Sequence, residues 1–321
     1  MSEQIADVGR GVSLTYERLG ANGGTPLVLV PGLGQQLVAW PDGLCELFVE
    51  RGYQVIRLDN RDVGGSTHAG FRPPAPQQML FKRWDPAQYD LHDMAADTVG
   101  LLDALGLESV HLVGMSMGGM IAQTVAARYP RRVASLTSIM STTGAARLGR
   151  PALSTWRRMF GRPARTRAEH VEASVRMYRH ISSAGYPFDE GAVRAIAGLS
   201  WDRDPRPAPG VGRQLAGILK SGDRTRELAA VTAPTLVVHG DRDMMVHPTG
   251  GAATARAIAG ARLHTVPGMG HDLPTGAWPA LVNLIDGHIR ATATQSSTAT
   301  QSSTATPNSS AAPRSADAPN L

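Results

Sequence analysis

The chain has 321 residues, 42% of them apolar and 18% charged, with a net charge of +5. That is enough apolar material for one large α/β domain or a domain with an inserted lid, and no apolar run approaches the roughly 18 residues that span a bilayer. Cys45 is the sole cysteine, which excludes an intramolecular disulfide. Met1 to Asp7 has no basic segment followed by an apolar one, so a cytoplasmic location is expected.

Val12 to Tyr16 reads as an early, edge-type strand. Leu27 to Val30 is a second strand, ending in Pro31-Gly32. Around Leu44 to Glu50 the spacing is helical, and Cys45 there reads as a small buried apolar residue. Val55 to Leu58 is the next strand, closed by Asp59-Asn60-Arg61. Phe71 to Asp90 is an insertion with Pro73, Pro74 and Pro76. Met94 to Leu105 carries Ala95, Val99, Leu102 and Leu105 on one helical face, and Gly106 stops it. The apolar run 110–113 is a strand, and the helix after it ends near Tyr129-Pro130. Val133 to Met140, Thr235 to Val238 and Arg262 to Val266 complete the strands. Short strands separated by helices imply a mostly parallel sheet with helices on both faces.

From about Ser141 to Val231 the alternation lapses into arginine- and alanine-rich sequence with helical patterns in 152–160 and 168–182, then Pro- and Gly-interrupted sequence around 205–212, which predicts a mostly helical inserted cap. The expected organisation is a core of residues 1–140 and 232–290, a cap over 141–231 and a low-complexity tail over 291–321. In that tail Thr294 to Ala299 recurs as Thr300 to Ala305, and so polar a segment is expected to be disordered. The two insertions hold ten of the sixteen aromatics: Phe71, Phe81, Trp84, Tyr89, Trp156, Phe160, Tyr178, Tyr186, Phe188 and Trp201. They would suit an apolar substrate cavity, or else the cap's own small core. Lys82 and Lys220 are the lysines, so thirty of the 32 basic residues are arginine. No aromatic-interleaved or zinc-finger motif accompanies them, so they read as a solvated surface and not as a nucleic-acid interface.

The chemistry lies at Gly114-Met115-Ser116-Met117-Gly118, a G-x-S-x-G sequence between a strand and a helix. Such an elbow lifts the Ser116 hydroxyl above the sheet edge and aims it at free N–H groups of the helix start. A serine hydroxyl needs a base, and the base needs an orienting acid. Val237-Val238-His239-Gly240 leads into Asp241-Arg242-Asp243, and Val266-Pro267-Gly268-Met269-Gly270 leads into His271. Asp243 is preferred to Asp241 because three residues beyond Gly240 leave room for a turn. His271 is preferred to His239, His247 and His264. Two backbone donors would hold an oxyanion: the amide of Met117, and one from the loop Pro31 to Gln35, assigned to Leu33.

Over roughly residues 8 to 290 the chain resembles the α/β-hydrolase superfamily. More narrowly it is similar to actinobacterial carboxylesterases and thioesterase-like lipases, and more loosely to polyketide methylesterases of the aclacinomycin methylesterase type. The matching words are Pro31 to Gln35, Leu58 to Thr67, Gly114 to Gln123 and Pro267 to Pro274. The resemblance implies Ser116, Asp243 and His271 as a triad cleaving a carboxylic ester or thioester of an apolar small molecule, without metal or organic cofactor. It casts Asp59 to Ser66 as support for the oxyanion loop. Many relatives carry His-Gly where this chain has Pro31-Gly32. Carbon–carbon bond hydrolysis and cofactor-free peroxidation can use the same triad, and a non-catalytic ligand receptor can use the same fold.

Overall fold

Leu27 and Leu29 enter one buried apolar layer while Val28 and Val30 enter the other. A strand apolar on both sides must be covered on both. In the computed structural model, which describes residues 2–303 except 160 and 206 (side chains to 292), that strand lies inside an eight-stranded sheet. In chain order the strands are β1 (Gln4–Asp7), β2 (Ser13–Leu19), β3 (Thr25–Val30), β4 (Tyr53–Leu58), β5 (Val110–Met115), β6 (Val133–Ile139), β7 (Thr235–Gly240) and β8 (Arg262–Val266). Their spatial order is β1-β2-β4-β3-β5-β6-β7-β8. Every neighbouring pair is parallel except β1 with β2 and β2 with β4.

The described helices are α1 (Asp42–Val49), α2 (Pro76–Leu80), α3 (Leu91–Ala104), α4 (Met117–Arg128), α5 (Leu153–Met159), α6 (Arg167–Ile181), α7 (Glu190–Arg203), α8 (Ala208–Ser221), α9 (Thr225–Leu228), α10 (Thr249–Ala257) and α11 (Trp278–Ser303). Apolar residues of α3 and α4, joined by Leu228 and Ile258, fill one face of the sheet. Leu44, Cys45 and Phe48 of α1 and Leu281, Val282, Ile285 and Ile289 of α11 fill the other. Cys45 is buried there as expected, and burial pushes its thiol up to about 12. Among the described residues no helix is long and apolar enough to cross a membrane.

Four differences from the sequence reading have physical causes. The expected edge strand is internal: β2 pairs with β4 on one side and with β1 on the other. β1 is short and mostly exposed, so it carries no apolar alternation to reveal it. The helix expected from Met94 begins at Leu91, because Asp90 accepts from the amides of His92 and Asp93 and caps it. α8 runs through a segment read as Pro- and Gly-interrupted; Pro207 precedes its first turn, where a missing N–H is harmless. The tail expected to be disordered from residue 291 is instead helical as far as Ser303, since α11 simply propagates without a new nucleation step. The remainder of that tail, 304–321, and Phe160 lie outside the described residues.

Arginine is not confined to a solvated surface either. Arg213 binds Asp62 with both residues buried, Arg57 pairs with Glu17, and Arg203 pairs with Asp59. Arg224, also buried, donates to the carbonyls of Met120 and Thr142. Of the helices between β6 and β7, α6 packs on α7 and α5 on α6, whereas α9 lies against α4 and α10 of the core.

Candidate active site

Ser116 stands between β5 and α4 with φ 55° and ψ −121°, a region costing a non-glycine residue about 1–3 kcal/mol. The crowding around it explains the glycines on either side. A Cβ on Gly114 would meet the Gly118 carbonyl oxygen at 2.1 Å, and one on Gly118 would meet the Val30 carbonyl oxygen at 2.1 Å. Two hydrogen bonds hold the strained turn: Ser116 N–H donates to Ile139 O at 2.9 Å, and Ser141 Oγ donates to Ser116 O at 2.8 Å.

The other two predicted side chains converge on it. His271 Nε2 lies 3.0 Å from Ser116 Oγ, and His271 Nδ1 lies 2.7 Å from Asp243 Oδ2. Asp243 is buried, which opposes its ionisation, but the neighbouring His271 and a bond from His239 hold its carboxyl well below the ordinary carboxylate range. It is therefore a carboxylate at neutral pH, so Nδ1 carries the proton and Nε2 presents a lone pair to the serine hydroxyl. The other Asp243 oxygen accepts from the amides of Met245 and Val246, both at 2.8 Å.

Asp241 does not reach the imidazole. Its Oδ1 accepts from the Gly268 amide at 2.7 Å, which steadies the loop leading to His271. His247 and His264 are exposed. His239 is buried beneath Asp243: its Nε2 is 2.8 Å from Val246 O and 3.4 Å from Asp243 Oδ2.

Of the four amides from Gly32 to Gln35, three are occupied. Gly32 donates to Gln35 Oε1, Gly34 to Gln214 Oε1, and Gln35 to Gly32 O. Leu33 alone has no hydrogen-bond partner among the described residues, and the Met117 amide at the start of α4 also has none. The Asp59–Ser66 segment braces this loop. Asn60 donates to Pro31 O, Leu37 donates to Asp59, and Gln214 of α8 spans from Gly34 to Arg61 O.

Above Ser116 opens a cavity of about 220 Å³. Its walls are mainly apolar, with Met115, Met140, Val193, Ile196, Leu273 and Trp278 among them, and Gln35, His170, Ser174, Tyr178, Asp189 and Asp272 add polar groups. Burial holds His170 below its ordinary pKa. Of the nine described aromatics in the insertions, Tyr178 and Phe188 reach the cavity. Phe71 and Tyr89 pack at the main core and Phe81 is exposed, so insertion alone does not place a ring in the site. Trp278, outside both insertions, lines it instead.

Several supports left no mark in the sequence. The His271 amide donates to Ile181 O at the end of α6, and the Gly270 amide donates to Ser183 Oγ, so the end of α6 and the segment after it anchor the loop that carries His271. A backbone carbonyl leaves no residue signature. Gln35 and Tyr178 were visible as residues, but their mutual bond joins positions 143 apart in the chain.

The relatives agree with this architecture. A family described as having the alpha/beta hydrolase fold matches residues 25–274. Rhodomycin D methylesterase of Streptomyces peucetius is 30% identical over 303 residues, spanning 87% of this chain and 96% of that one. A non-heme haloperoxidase of Rhodococcus erythropolis is 29% identical, over 83% of this chain and 91% of its own. The structure of a 2-hydroxy-6-oxo-6-phenylhexa-2,4-dienoate hydrolase from a Rhodococcus species superposes with a TM-score of 0.72 at 17% identity, covering 90% of this chain and 98% of that one. Extended likeness over nearly the whole sequence, together with the parallel sheet and the elbow after β5, makes this chain a member of the α/β-hydrolase fold family.

Proposed function

We propose that the protein is a serine hydrolase that cleaves a carboxylic ester, or the related thioester, of an apolar small molecule. The observation carrying this reading is the line of contacts from Asp243 through His271 to Ser116 at the floor of the cavity. His271 Nε2 takes the Ser116 proton as Oγ attacks the substrate carbonyl. The developing oxyanion accepts from the free amides of Leu33 and Met117, the latter adding the positive end of α4. His271 then gives its proton to the leaving alcohol or thiol, releasing it and leaving an acyl-serine. Water, deprotonated by the same imidazole, attacks that acyl group, and Ser116 regains its proton as the acid departs. Asp243 stays ionised throughout and stabilises each imidazolium. None of these steps calls on a metal or an organic cofactor.

Similarity to a methylesterase supports ester chemistry. The dienoate named for the Rhodococcus hydrolase is a carboxylate, and no lysine or arginine lines this cavity among the described residues. A buried anionic substrate would lack its counter-charge here, which favours a neutral ester over a dienoate-type substrate of carbon–carbon cleavage. Side-by-side assays with a p-nitrophenyl ester, a vinylogous diketone, and acetate with hydrogen peroxide test the reading. The ester is expected to react fastest by at least about 100-fold in kcat/KM, a gap of two such factors of ten in barrier. A faster diketone or peroxide reaction would overturn it.

A further inference from the structure

Among the donors lining the cavity that the proposed ester chemistry leaves unused, the Tyr178 phenol is the one whose orientation a neighbouring side chain fixes. Gln35 Oε1 accepts from the Gly32 amide at 2.8 Å. An amide N–H can only donate, so this contact fixes which end of the Gln35 side chain is which. Its Nε2 therefore points to Tyr178 and donates to the phenol oxygen at 3.0 Å. The phenol oxygen is thus an acceptor in that bond, and its own O–H remains to be placed. Gln35 is its only hydrogen-bond partner among the described residues. Asp272, the carboxylate whose charge is felt at the phenol, is bonded to Ser183 Oγ at 2.5 Å and makes no hydrogen bond to Tyr178. Both Tyr178 and Gln35 line the same cavity as Ser116 and His271. Burial raises the phenol above its ordinary pKa against the opposing Gln35 bond, so it keeps its proton at neutral pH.

Resting on the ester-hydrolase reading, we propose that Tyr178 is a substrate-contacting residue. Its O–H donates to a second oxygen of the ester, a carbonyl, phenol or ether oxygen distinct from the scissile group. The preferred substrate is then an uncharged, largely apolar ester bearing that additional acceptor. Gln35 sets this specificity from behind: its donated bond turns the phenol proton away from the protein and toward the ligand. The physical reason is that a substrate filling the cavity covers this donor, and a covered donor without an acceptor is unfavourable. A plain hydrocarbon ester leaves it unmatched.

The test uses methyl esters of aromatic acids that carry one keto, phenolic or methoxy oxygen at successive ring positions, each paired with its deoxygenated parent. The readout is the ratio of kcat/KM within a pair. Any general loss through the Gly32 loop affects both members and cancels. The wild-type enzyme is expected to favour the oxygenated ester at one position by about tenfold, the worth of one net hydrogen bond. Tyr178→Phe is expected to bring that ratio to about one. Gln35→Glu should do the same with the phenol still present, because a carboxylate accepts from both Gly32 N–H and the Tyr178 O–H and so recaptures the proton. The proposal is overturned if wild type shows no preference at any position. It is equally overturned if Tyr178→Phe slows both members alike, which would make the phenol a mere brace for Gln35. Failure to cleave any of the esters, or cleavage surviving in Ser116→Ala, would instead refute the ester-hydrolase reading itself.

Discussion

Ser116→Ala is expected to lower kcat on a p-nitrophenyl ester by about 10⁴- to 10⁶-fold while the protein stays folded. Alanine keeps the Cβ and accepts the same backbone as serine, so the strained turn with its bond to Ile139 O survives. Only the attacking oxygen is removed. His271→Ala should cost a similar factor, and the double variant little more, because the two residues act as one unit. Asp243→Asn should cost about 10⁴-fold. Its amide nitrogen would have to face either the His271 N–H or the two amides of Met245 and Val246, and neither arrangement keeps the correct imidazole tautomer. Asp241→Asn serves as the contrast. Asp241 is partly exposed and holds the Gly268 amide, and asparagine's oxygen can still accept that bond. Its kcat is expected to stay within about fivefold of wild type, since an exposed substitution away from such machinery changes little. Equal losses in the two aspartate variants would reverse their assignment.

Asp62→Asn is expected to destabilise the protein by about 3–5 kcal/mol, read as a shift in urea unfolding. Asp62 carries φ 73°, a conformation that asparagine tolerates nearly as well, so backbone strain does not confound the result. The change acts on charge. The carboxylate accepts from Arg213 Nε at 2.9 Å and Nη2 at 2.5 Å, from Tyr89 Oη at 2.6 Å and from Ala69 N at 2.8 Å. With asparagine, the buried Arg213 guanidinium loses its counter-ion in a low-dielectric site. Adding Arg213→Met removes that stranded charge and should recover at least about half of the loss, since replacing a whole buried pair by apolar groups is often nearly neutral. The damage should extend to catalysis, because α8 carries Gln214, which holds the Gly34 amide beside Leu33. Stability within about 1 kcal/mol of wild type in Asp62→Asn would show that this ion pair is not what fastens α8 to the core.

Local chemistry was legible in the sequence; long-range geometry was not. Ser116 and its glycines announced the elbow because one tight turn imposes its demands on adjacent residues. Asp243 and His271 could be placed because each follows a strand, apolar and buried in β7 but mostly exposed in β8, and a parallel sheet collects strand ends at one edge. The alternation of short strands with helices likewise revealed a parallel sheet covered on both faces. By contrast β1, short and mostly exposed, has no periodicity to read. The extent of α11 depended on propagation from its packed first half, not on the polar repeat. Gln35, Tyr178, Ser183 and the carbonyl of Ile181 act through contacts between the core loops and the segment around α6. Such pairings have no fixed spacing. Aromatic content correctly drew attention to the insertions, but only the fold separates Tyr178 and Phe188 in the cavity from Phe71 and Tyr89 at the core.

The central claim, that His271 activates Ser116 as a nucleophile, is tested most directly by labelling with a fluorophosphonate and locating the adduct by peptide mass spectrometry. One adduct per chain on the peptide containing Ser116 is expected. It should be absent in Ser116→Ala and form at least about 100-fold more slowly in His271→Ala, as removal of a general base implies. An enzyme that hydrolyses esters yet carries the label elsewhere, or that labels Ser116 equally fast without His271, would contradict the account.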